Sequence, residues 1–313
     1  MRAVVTGVAG FIGSAVVDRL VAQGSDVLII DDLSGGSEAN LEEAYRSGPG
    51  TVHLTVADIG EVGTTEVVAA HRPDVVFHLA AQVDVNSSVE DPVADAHTNL
   101  IGLLRVLNGA QLAGTRKFVF TSSGAIYGEV DPKLLPLQED TARRPLSPYG
   151  VAKLAGVFYL EAYEALHGLA GTTLALANVY GPRQDPHGEA GVVAIFAERL
   201  LSGQPCTIYG DGEQTRDFVY VGDVAEAFLA AAERADGRLL NIGTGVETSV
   251  NHLYNSMAAA AGGPVEPVRG PERLGELKRS ALSSTRAATE LGWRFTTSLE
   301  EGLSTTLDWF ANR

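Results

Sequence analysis

The sequence predicts an α/β fold, a doubly wound parallel sheet followed by a smaller C-terminal α/β lobe. Short β-branched apolar runs alternate with helical segments through the first half of the chain, and glycines cluster after the first run. Polar residues follow several of the later runs. Strands that alternate with helices form parallel sheets, and ligands of such sheets bind beyond the carboxyl ends of the strands.

Composition limits the classes of function. The chain of 313 residues carries 23 basic and 39 acidic residues, a formal charge of −16. This acidity argues against nucleic acids and anionic membranes as partners. The one cysteine, Cys206, excludes an internal disulfide and fits a reducing compartment. No apolar run is long enough to span a bilayer, so a cytoplasmic protein is expected.

The first βαβ unit has the pattern of a dinucleotide site. Strands are predicted over residues 2–6 and 27–30, with a helix between them that runs to residue 23. The turn after the first strand carries three glycines: Gly7, Gly10 and Gly13. Glycines let backbone N–H groups approach a pyrophosphate at the helix N-terminus, and an acid at the second strand tip accepts the adenosine ribose hydroxyls.

That acid is Asp31, and no basic residue stands beside it. A 2′-phosphate would face its carboxylate, so the sequence favours NAD over NADP as the cofactor. The alternative for Asp31 and Asp32 is a metal-binding pair, but the sequence has no cluster of His, Cys and carboxylate residues that would support a metal site.

The alternation continues along the chain, and the two lobes follow from it. Further strands are predicted over 52–56, 75–79, 118–121, 174–177, 207–209 and 239–242, and helices over 92–112, 192–202, 224–235 and 250–261, with two more at the end. The first domain is expected to span 1–178, with roughly 218–246 returning to it, and 179–217 with 247–313 to form the second lobe.

A proton-transfer pair is predicted where a helix begins near residue 147. Ser147 suits the N-cap and Pro148 the first helical position. Tyr149 and Lys153 then lie on one face, four residues apart. A phenol ionises near pH 10, but a nearby ammonium and the positive end of a helix both favour the phenolate. The alternative is an exposed tyrosine–lysine pair without function.

The motifs together resemble the extended short-chain dehydrogenase/reductase superfamily, and within it the UDP-glucose 4-epimerases, over nearly the whole chain. The matching stretches lie at 6–13, 31–34, 58–59, 78–82, 88–92, 99–102, 122–123, 149–153, 178–183, 216–219, 273–276 and 290–293. Each is unspecific alone, and their order and spacing carry the resemblance.

The resemblance implies a catalytic set of Ser123, Tyr149 and Lys153. Tyr149 would take the proton of the sugar 4-hydroxyl while NAD takes the hydride from C4, and Ser123 would hydrogen-bond the same oxygen. Lys153 would hold the nicotinamide ribose and lower the tyrosine pKa. The 4-keto sugar would then rotate and receive the hydride on its opposite face. For Ser123 and Asn99 the alternative is a structural role at a strand end.

The resemblance also implies the binding residues. The cofactor-binding set is Gly7, Gly10, Phe11, Ile12, Gly13, Asp31, Asp32, Leu33, Ser34, Gly35, Asp58, Ile59, Leu79, Ala80, Ala81, Gln82, Asn99, Tyr149 and Lys153. The substrate-binding set is Ser123, Asn178, Val192, Tyr209, Arg216, Arg273 and Glu276. Arginines suit a diphosphate, and an aromatic ring suits a uracil face.

The absence of acidic residues directly after Ser123 limits the kinds of reaction that the sequence predicts. Related dehydratases place Asp-Glu directly after the catalytic Ser or Thr, whereas this sequence has Gly124 and Ala125. Nothing there would drive 4,6-elimination, so simple epimerisation of a UDP-hexose is expected. Ser280, four residues beyond Glu276, is small where a bulky residue restricts some relatives, which predicts room for an N-acetyl group. Ala175 and Asn86 stand where relatives often have Arg, which weakens a definite choice of substrate.

Other functions stay open on the sequence. The alternatives are another NAD-linked nucleotide-sugar enzyme, such as a UDP-glucuronate 4-epimerase, a dehydratase or a reductase, and a non-catalytic NAD-binding regulator. An intact Ser123, Tyr149 and Lys153 set disfavours the regulator. The resemblance also implies a homodimer through the helices predicted over 92–112 and 149–166, which are rich in alanine and leucine.

Overall fold

Strands and helices alternate along the chain in a computed structural model, which describes residues 1–46, 48–187, 191–263, 266–272 and 277–313. The strands are β1 (Arg2–Thr6), β2 (Asp26–Asp31), β3 (Thr51–Val56), β4 (Val75–His78), β5 (Lys117–Ser123), β6 (Ala170–Leu176), β7 (Asn178–Tyr180), β8 (Thr207–Tyr209), β9 (Thr215–Arg216), β10 (Phe218–Tyr220), β11 (Arg238–Ile242), β12 (Thr248–Ser249) and β13 (Val268–Gly270).

The helices follow the same order. They are α1 (Phe11–Ala22), α2 (Glu42–Arg46), α3 (Thr64–His71), α4 (Val85–Glu90), α5 (Pro92–Ala96), α6 (Leu103–Ala113), α7 (Pro148–His167), α8 (Val192–Leu201), α9 (Val221–Ala231), α10 (Val250–Ala260), α11 (Thr285–Glu290) and α12 (Leu299–Ala311). A π-helical segment, His97–Gly102, joins α5 to α6. None of the described helices has the length and apolar character that a membrane crossing requires.

The central sheet has seven strands in the order β11-β6-β5-β4-β1-β2-β3, and all of its pairings are parallel. This confirms the predicted doubly wound α/β fold. The strand order reverses direction at β1, which pairs with β2 on one side and β4 on the other. Such a reversal leaves a crevice beyond the carboxyl ends of the strands, where ligands of open α/β sheets bind.

The sheet is buried on both faces, which explains its continuous apolar strands. Alternate residues of β1 belong to separate core clusters: Ala3 and Val5 lie in one, and Val4 lies in the other. Helices α1 and α9 pack together on the first face, whereas α3 and α6 pack together on the second, where α7 also covers β5 and β6. Strand β11 returns late in the chain to pair with β6, as the sequence predicts.

The second lobe has its own core. Helices α8, α10 and α12 contact one another, and their apolar side chains cluster with those of β8 and β10. Phe196 and Tyr254 meet edge to face at 5.9 Å within this cluster. The separate clusters support the predicted division of the chain into lobes, which stays a prediction.

Several elements differ from the sequence-based expectation. The predicted helix over 92–112 is divided by the π-helical segment, and α4 precedes it where no helix was expected. Strand β6 begins at Ala170, four residues earlier than predicted. The reason is that its polar residues are paired: the Thr172 hydroxyl donates to the carbonyl of Ala235 at 2.7 Å, which lets a threonine lie in the buried sheet.

Candidate active site

The turn between β1 and α1 needs glycines because other backbone lies against it. Gly7 has φ 73°, and a Cβ there would lie 2.5 Å from the Ala80 nitrogen. A Cβ at Gly13 would lie 2.4 Å from the Gly7 carbonyl oxygen. Gly10 is the N-cap of α1 and no side chain caps that end, so first-turn N–H groups can bind an anion. This geometry fits the pyrophosphate of a dinucleotide.

Asp31 braces this turn from the end of β2. Its carboxylate is 7% exposed and accepts hydrogen bonds from the backbone N–H groups of Ala9 and Leu33, both at 2.8 Å. Asp32 is exposed and accepts from the Ser34 hydroxyl at 2.6 Å. Each carboxylate oxygen can accept a second hydrogen bond, so Asp31 keeps capacity for a ribose hydroxyl. The bracing role was not predicted from the sequence.

The adjoining strand ends carry the other predicted cofactor residues. Asp58 follows β3 and accepts from the Gly60 N–H at 2.7 Å, and Ile59 is buried beside it. Gln82 follows β4, and its carbonyl accepts from the Asn99 side chain at 2.9 Å. Asn99 is 2% exposed and lies in the π-helical segment. The fold therefore brings the segments that carry these residues to one edge of the sheet.

The predicted catalytic residues come together beyond β5. Ser123 ends β5, and its hydroxyl lies close enough to the Tyr149 phenol, in the first turn of α7, to lower the tyrosine pKa. Ser147 caps this helix by accepting from the Gly150 N–H at 3.1 Å, as predicted. Lys153 lies one turn on, with its Nζ 5.8 Å from the centre of the Tyr149 ring. The same Nζ donates to the Thr121 carbonyl at 3.0 Å.

Burial is the largest influence on the pKa values of Tyr149 and Lys153. It raises the pKa of Tyr149 to about 12, although the nearby Ser123 hydroxyl lowers it. Burial also lowers the pKa of Lys153 to about 8, against the opposing influence of the Asp95 carboxylate. The sequence predicted a lowered tyrosine pKa, and for the protein's own groups that expectation is wrong because desolvation of the phenolate outweighs the stabilising contacts.

Two buried polar residues near this group were missed. His78 ends β4, and its Nδ1 lies 2.9 Å from the Thr6 hydroxyl. Burial, with the nearby Lys153 charge, lowers the pKa of His78 to about 3, so it is neutral at physiological pH. Asp95 is 1% exposed and accepts from the Asn99 side chain at 2.7 Å. A polar residue ending an apolar strand could have indicated His78, but no pattern indicated the burial of Asp95.

Two small residues, Gly124 and Ala125, follow Ser123. Neither has an ionisable side chain, and the Ala125 N–H donates to the Ser123 hydroxyl at 3.2 Å. A Cβ at Gly124 would lie 3.4 Å from Leu282 Cδ1, which is ordinary van der Waals contact. No acid and base pair for elimination lies beside the serine at these two positions.

A cavity of about 460 Å³ lies in the second lobe. Tyr209, a predicted substrate residue, lines it together with Glu272, Lys278 and others from the neighbouring loops. Its volume lies in the usual range of small-molecule sites. Asn178 begins β7 and is exposed, Val192 begins α8, and Arg216 ends β9. The predicted substrate residues Arg273 and Glu276 lie outside the described residues.

Comparison with known proteins agrees with this geometry. The family model for the NAD dependent epimerase/dehydratase family matches residues 3–243. The chain belongs to this family. A UDP-glucose 4-epimerase of Mycolicibacterium smegmatis is 49% identical over 315 residues, which cover 100% of this chain and 99% of that protein. The family resemblance predicted from the sequence is therefore confirmed.

Solved structures of similar proteins extend the likeness to the whole fold. A UDP-glucose 4-epimerase of Thermotoga maritima, solved with UDP-glucose, has a TM-score of 0.95 and 46% identity and covers 100% of this chain and 99% of its own. A UDP-glucose 4-epimerase of Thermus thermophilus, solved with NAD, has a TM-score of 0.91 and 42% identity over 99% of each chain.

Proposed function

We propose that this chain is an NAD-dependent 4-epimerase of UDP-hexoses, which interconverts UDP-galactose and UDP-glucose. The observation that carries the proposal is the meeting of Ser123, Tyr149 and Lys153 beside a glycine turn that fits a dinucleotide. The full-length similarity to UDP-glucose 4-epimerases, one solved with UDP-glucose and another with NAD, supports the same activity.

The three side chains have separate tasks in this proposal. Tyr149 removes the proton of the sugar 4-hydroxyl, and Ser123 holds that oxygen in place. Lys153 binds the nicotinamide ribose and offers its ammonium to the phenolate. Bound NAD supplies the acceptor for the C4 hydride and later returns it. When the sugar presents its other face, Tyr149 returns the proton to the same oxygen, so that no net oxidation occurs.

Elimination of water is disfavoured by the residues after Ser123. A 4,6-dehydratase needs a further acid and base beside the sugar, and Gly124 and Ala125 provide neither. The alternative of a dehydratase is therefore the weaker one.

We propose that the nucleotide binds in the 460 Å³ cavity, with the uracil against the Tyr209 ring. Asn178, Val192 and Arg216, with Arg273 and Glu276, stay the proposed contacts for the rest of the substrate. Ser280 is small and half-buried, which supports turnover of UDP-N-acetylglucosamine as well. Activity on UDP-glucose with none on the acetamido sugar would contradict this extension.

We also propose a homodimer that forms through α7 and the helices beside it. Phe158 and Leu166 on α7 are 55% and 76% exposed, and Leu112 on α6 is 66% exposed. Burial of such side chains against a second copy would remove them from water. The buried thiol of Cys206 is free, which supports a cytoplasmic location.

One experiment separates the candidate reactions. The purified protein is incubated with UDP-galactose without added NAD, and the products are resolved by chromatography. UDP-glucose without net NADH supports the epimerase. Stoichiometric NADH would indicate a dehydrogenase, and a 4-keto-6-deoxy product would indicate a dehydratase despite Gly124 and Ala125. Tyr149→Phe is the control, because it should retain NAD and lose turnover.

A further inference from the structure

A buried carboxylate lies next to the proposed proton-transfer pair. Asp95 on α5 is 1% exposed, and its Oδ1 accepts from the side chains of Asn99 at 2.7 Å and Gln82 at 3.1 Å. Its Oδ2 is buried and has no hydrogen-bond partner among the described residues, and neither has the Asn99 Oδ1. A buried oxygen without a partner costs free energy, so this carboxylate needs a reason beyond local packing.

The Lys153 ammonium is also buried, and the described residues give it fewer hydrogen-bond acceptors than it can use. It is 2% exposed, and Thr121 is the one hydrogen-bond acceptor that the described residues provide for its Nζ, although an ammonium has three hydrogens to donate. Its other close neighbours include the Phe120 ring, 5.3 Å from the Nζ, and the Tyr149 ring. A buried ammonium in such surroundings is strongly destabilised unless an opposite charge lies nearby.

Asp95 supplies that charge. Helix α5 packs against α7, which brings the Asp95 carboxylate near enough to Lys153 and Tyr149 to act on both electrostatically, without a direct ion pair to the Lys153 ammonium. Two other titratable groups face Lys153: Tyr149 on the same helix, and His78 from β4, which is neutral above a pH of about 3. Burial raises the pKa of Asp95, whereas the Asn99 hydrogen bond and the Lys153 charge lower it, so the influence is mutual.

We propose that Asp95 is a positioning residue whose buried carboxylate is the counter-ion of Lys153 and keeps that ammonium charged beside Tyr149. The same negative charge opposes the phenolate of Tyr149, which makes that phenolate a stronger base toward the sugar 4-hydroxyl once it has formed. The proposal rests on the assignment of Tyr149 and Lys153 as the proton-transfer pair. It adds a residue that touches neither the substrate nor the cofactor but sets the charge of Lys153, which binds the cofactor.

The direct test measures the charge of Lys153 without turnover. The chain has four lysines, so protein labelled with 13C at lysine Cε should give four signals: Lys117, Lys133, Lys153 and Lys278. Lys153→Met assigns the signal of interest. The pH titration of that signal is compared in the unmodified chain, in Asp95→Asn and in Glu90→Gln, which removes an exposed carboxylate from the end of the preceding helix.

Loss of the counter-ion should lower the midpoint of the Lys153 titration by about one pH unit or more. A fall from 8 to 7 would leave about one lysine in eleven charged at pH 8 instead of one in two, roughly a fivefold loss. Glu90→Gln should leave the midpoint unchanged. An Asp95→Asn protein that is folded by circular dichroism yet keeps the original midpoint would overturn the proposal.

A second measurement covers the case in which Asp95→Asn does not fold. In the unmodified chain the Lys153 signal should show an additional step when Asp95 takes up its proton, above the pH of about 3 at which His78 titrates. A curve without this step would contradict the proposal.

Turnover gives an independent check on the enzyme with its cofactor. The alkaline limb of kcat/KM for UDP-galactose should move to lower pH in Asp95→Asn, whereas a merely structural role would lower the rate equally at every pH. If the protein shows no epimerase activity, the proposed function fails. The lysine titration still decides the pairing of Asp95 with Lys153, so the two failures are distinguishable.

Discussion

Replacement of Gly13 by alanine should separate cofactor binding from general stability. The added Cβ would lie 2.4 Å from the Gly7 carbonyl oxygen and 2.7 Å from the Val8 Cα, both in the backbone of the proposed pyrophosphate cradle. Backbone yields less readily than a side-chain tip, and overpacking of this kind costs about 1–3 kcal/mol. Because the strain falls on the cradle, about the same free energy should be lost from NAD binding, a decrease of roughly 5- to 150-fold in affinity.

Two other glycines provide matched controls. A Cβ at Gly109 would lie 2.7 Å from the Val68 Cβ and 2.8 Å from the Thr65 carbonyl oxygen, where α6 packs on α3. Gly109→Ala should therefore lose stability without losing NAD affinity. Gly63 is the N-cap of α3, with φ −70° and nothing within 4 Å of the added atom, so Gly63→Ala should change stability by less than about 1 kcal/mol.

The assay combines two measurements on each protein. Calorimetric titration with NAD, after removal of any bound nucleotide, gives the affinity, and urea unfolding gives the stability. The expected pattern is loss of both for Gly13→Ala, of stability alone for Gly109→Ala and of neither for Gly63→Ala. A Gly13→Ala protein that binds NAD as tightly as the unmodified chain would refute the proposal that this turn holds the pyrophosphate, whatever its loss of stability.

Three further changes test the catalytic pair and the dimer. Tyr149→Phe should lower kcat by about 10²- to 10⁴-fold in the epimerase assay and leave the amount of bound NAD unchanged. A variant with unimpaired turnover would refute the assignment of Tyr149 as the base. The pKa of Lys153 lies near 8 in the folded chain, below the usual 10.5, so stability rises with pH between these values. The free energy of unfolding of the unmodified chain should consequently rise by up to about 3 kcal/mol relative to that of Lys153→Met between pH 8 and pH 10.5 in urea titrations. Phe158→Glu should give a monomer in light scattering, whereas Val62→Glu, at a more exposed position, should not; a dimer in both would exclude this face.

The elements that the sequence predicted well are those set by local pattern. The apolar runs that became β1, β2 and β4 are short and continuous because both faces of their sheet are covered. The start of α7 was also predicted correctly, since Ser147 and Pro148 specify a helix end by themselves. In each case the information lies within a few residues of the element, so no knowledge of the packing is needed.

The features that the sequence missed depend on contacts between distant segments. Asp95 and Asn99, four residues apart, are a polar pair that would suit the surface of an isolated helix, and only the packing of α5 against α7 buries them. The π-helical segment places Asn99 against the carbonyl of Gln82, 17 residues earlier. Spacing along the chain carries no trace of the burial of Asp95, whereas the contact of Asn99 with Gln82 fits the structural role at a strand end that the sequence left open for Asn99.

The pKa of Tyr149 shows that the protein's own groups do not stabilise the phenolate enough for it to form near neutral pH. Its position at a helix start near Lys153 suggests a phenolate, yet burial raises the pKa to about 12. The phenolate therefore needs a further positive charge, and oxidised NAD brings one in its nicotinamide ring, enough to lower the pKa by about 1–3 units at close range.

Tyrosinate absorbance should reveal this dependence when the unmodified chain is compared with Tyr149→Phe, which removes the background of the other eight of the nine tyrosines. We expect the titration step near pH 12 without NAD and between about pH 9 and pH 11 with it. A step between about pH 9 and pH 11 in both conditions would mean that the protein alone activates the tyrosine. In that case Lys153, whose ammonium is the nearby positive charge, would have to stabilise the phenolate by more than its burial costs.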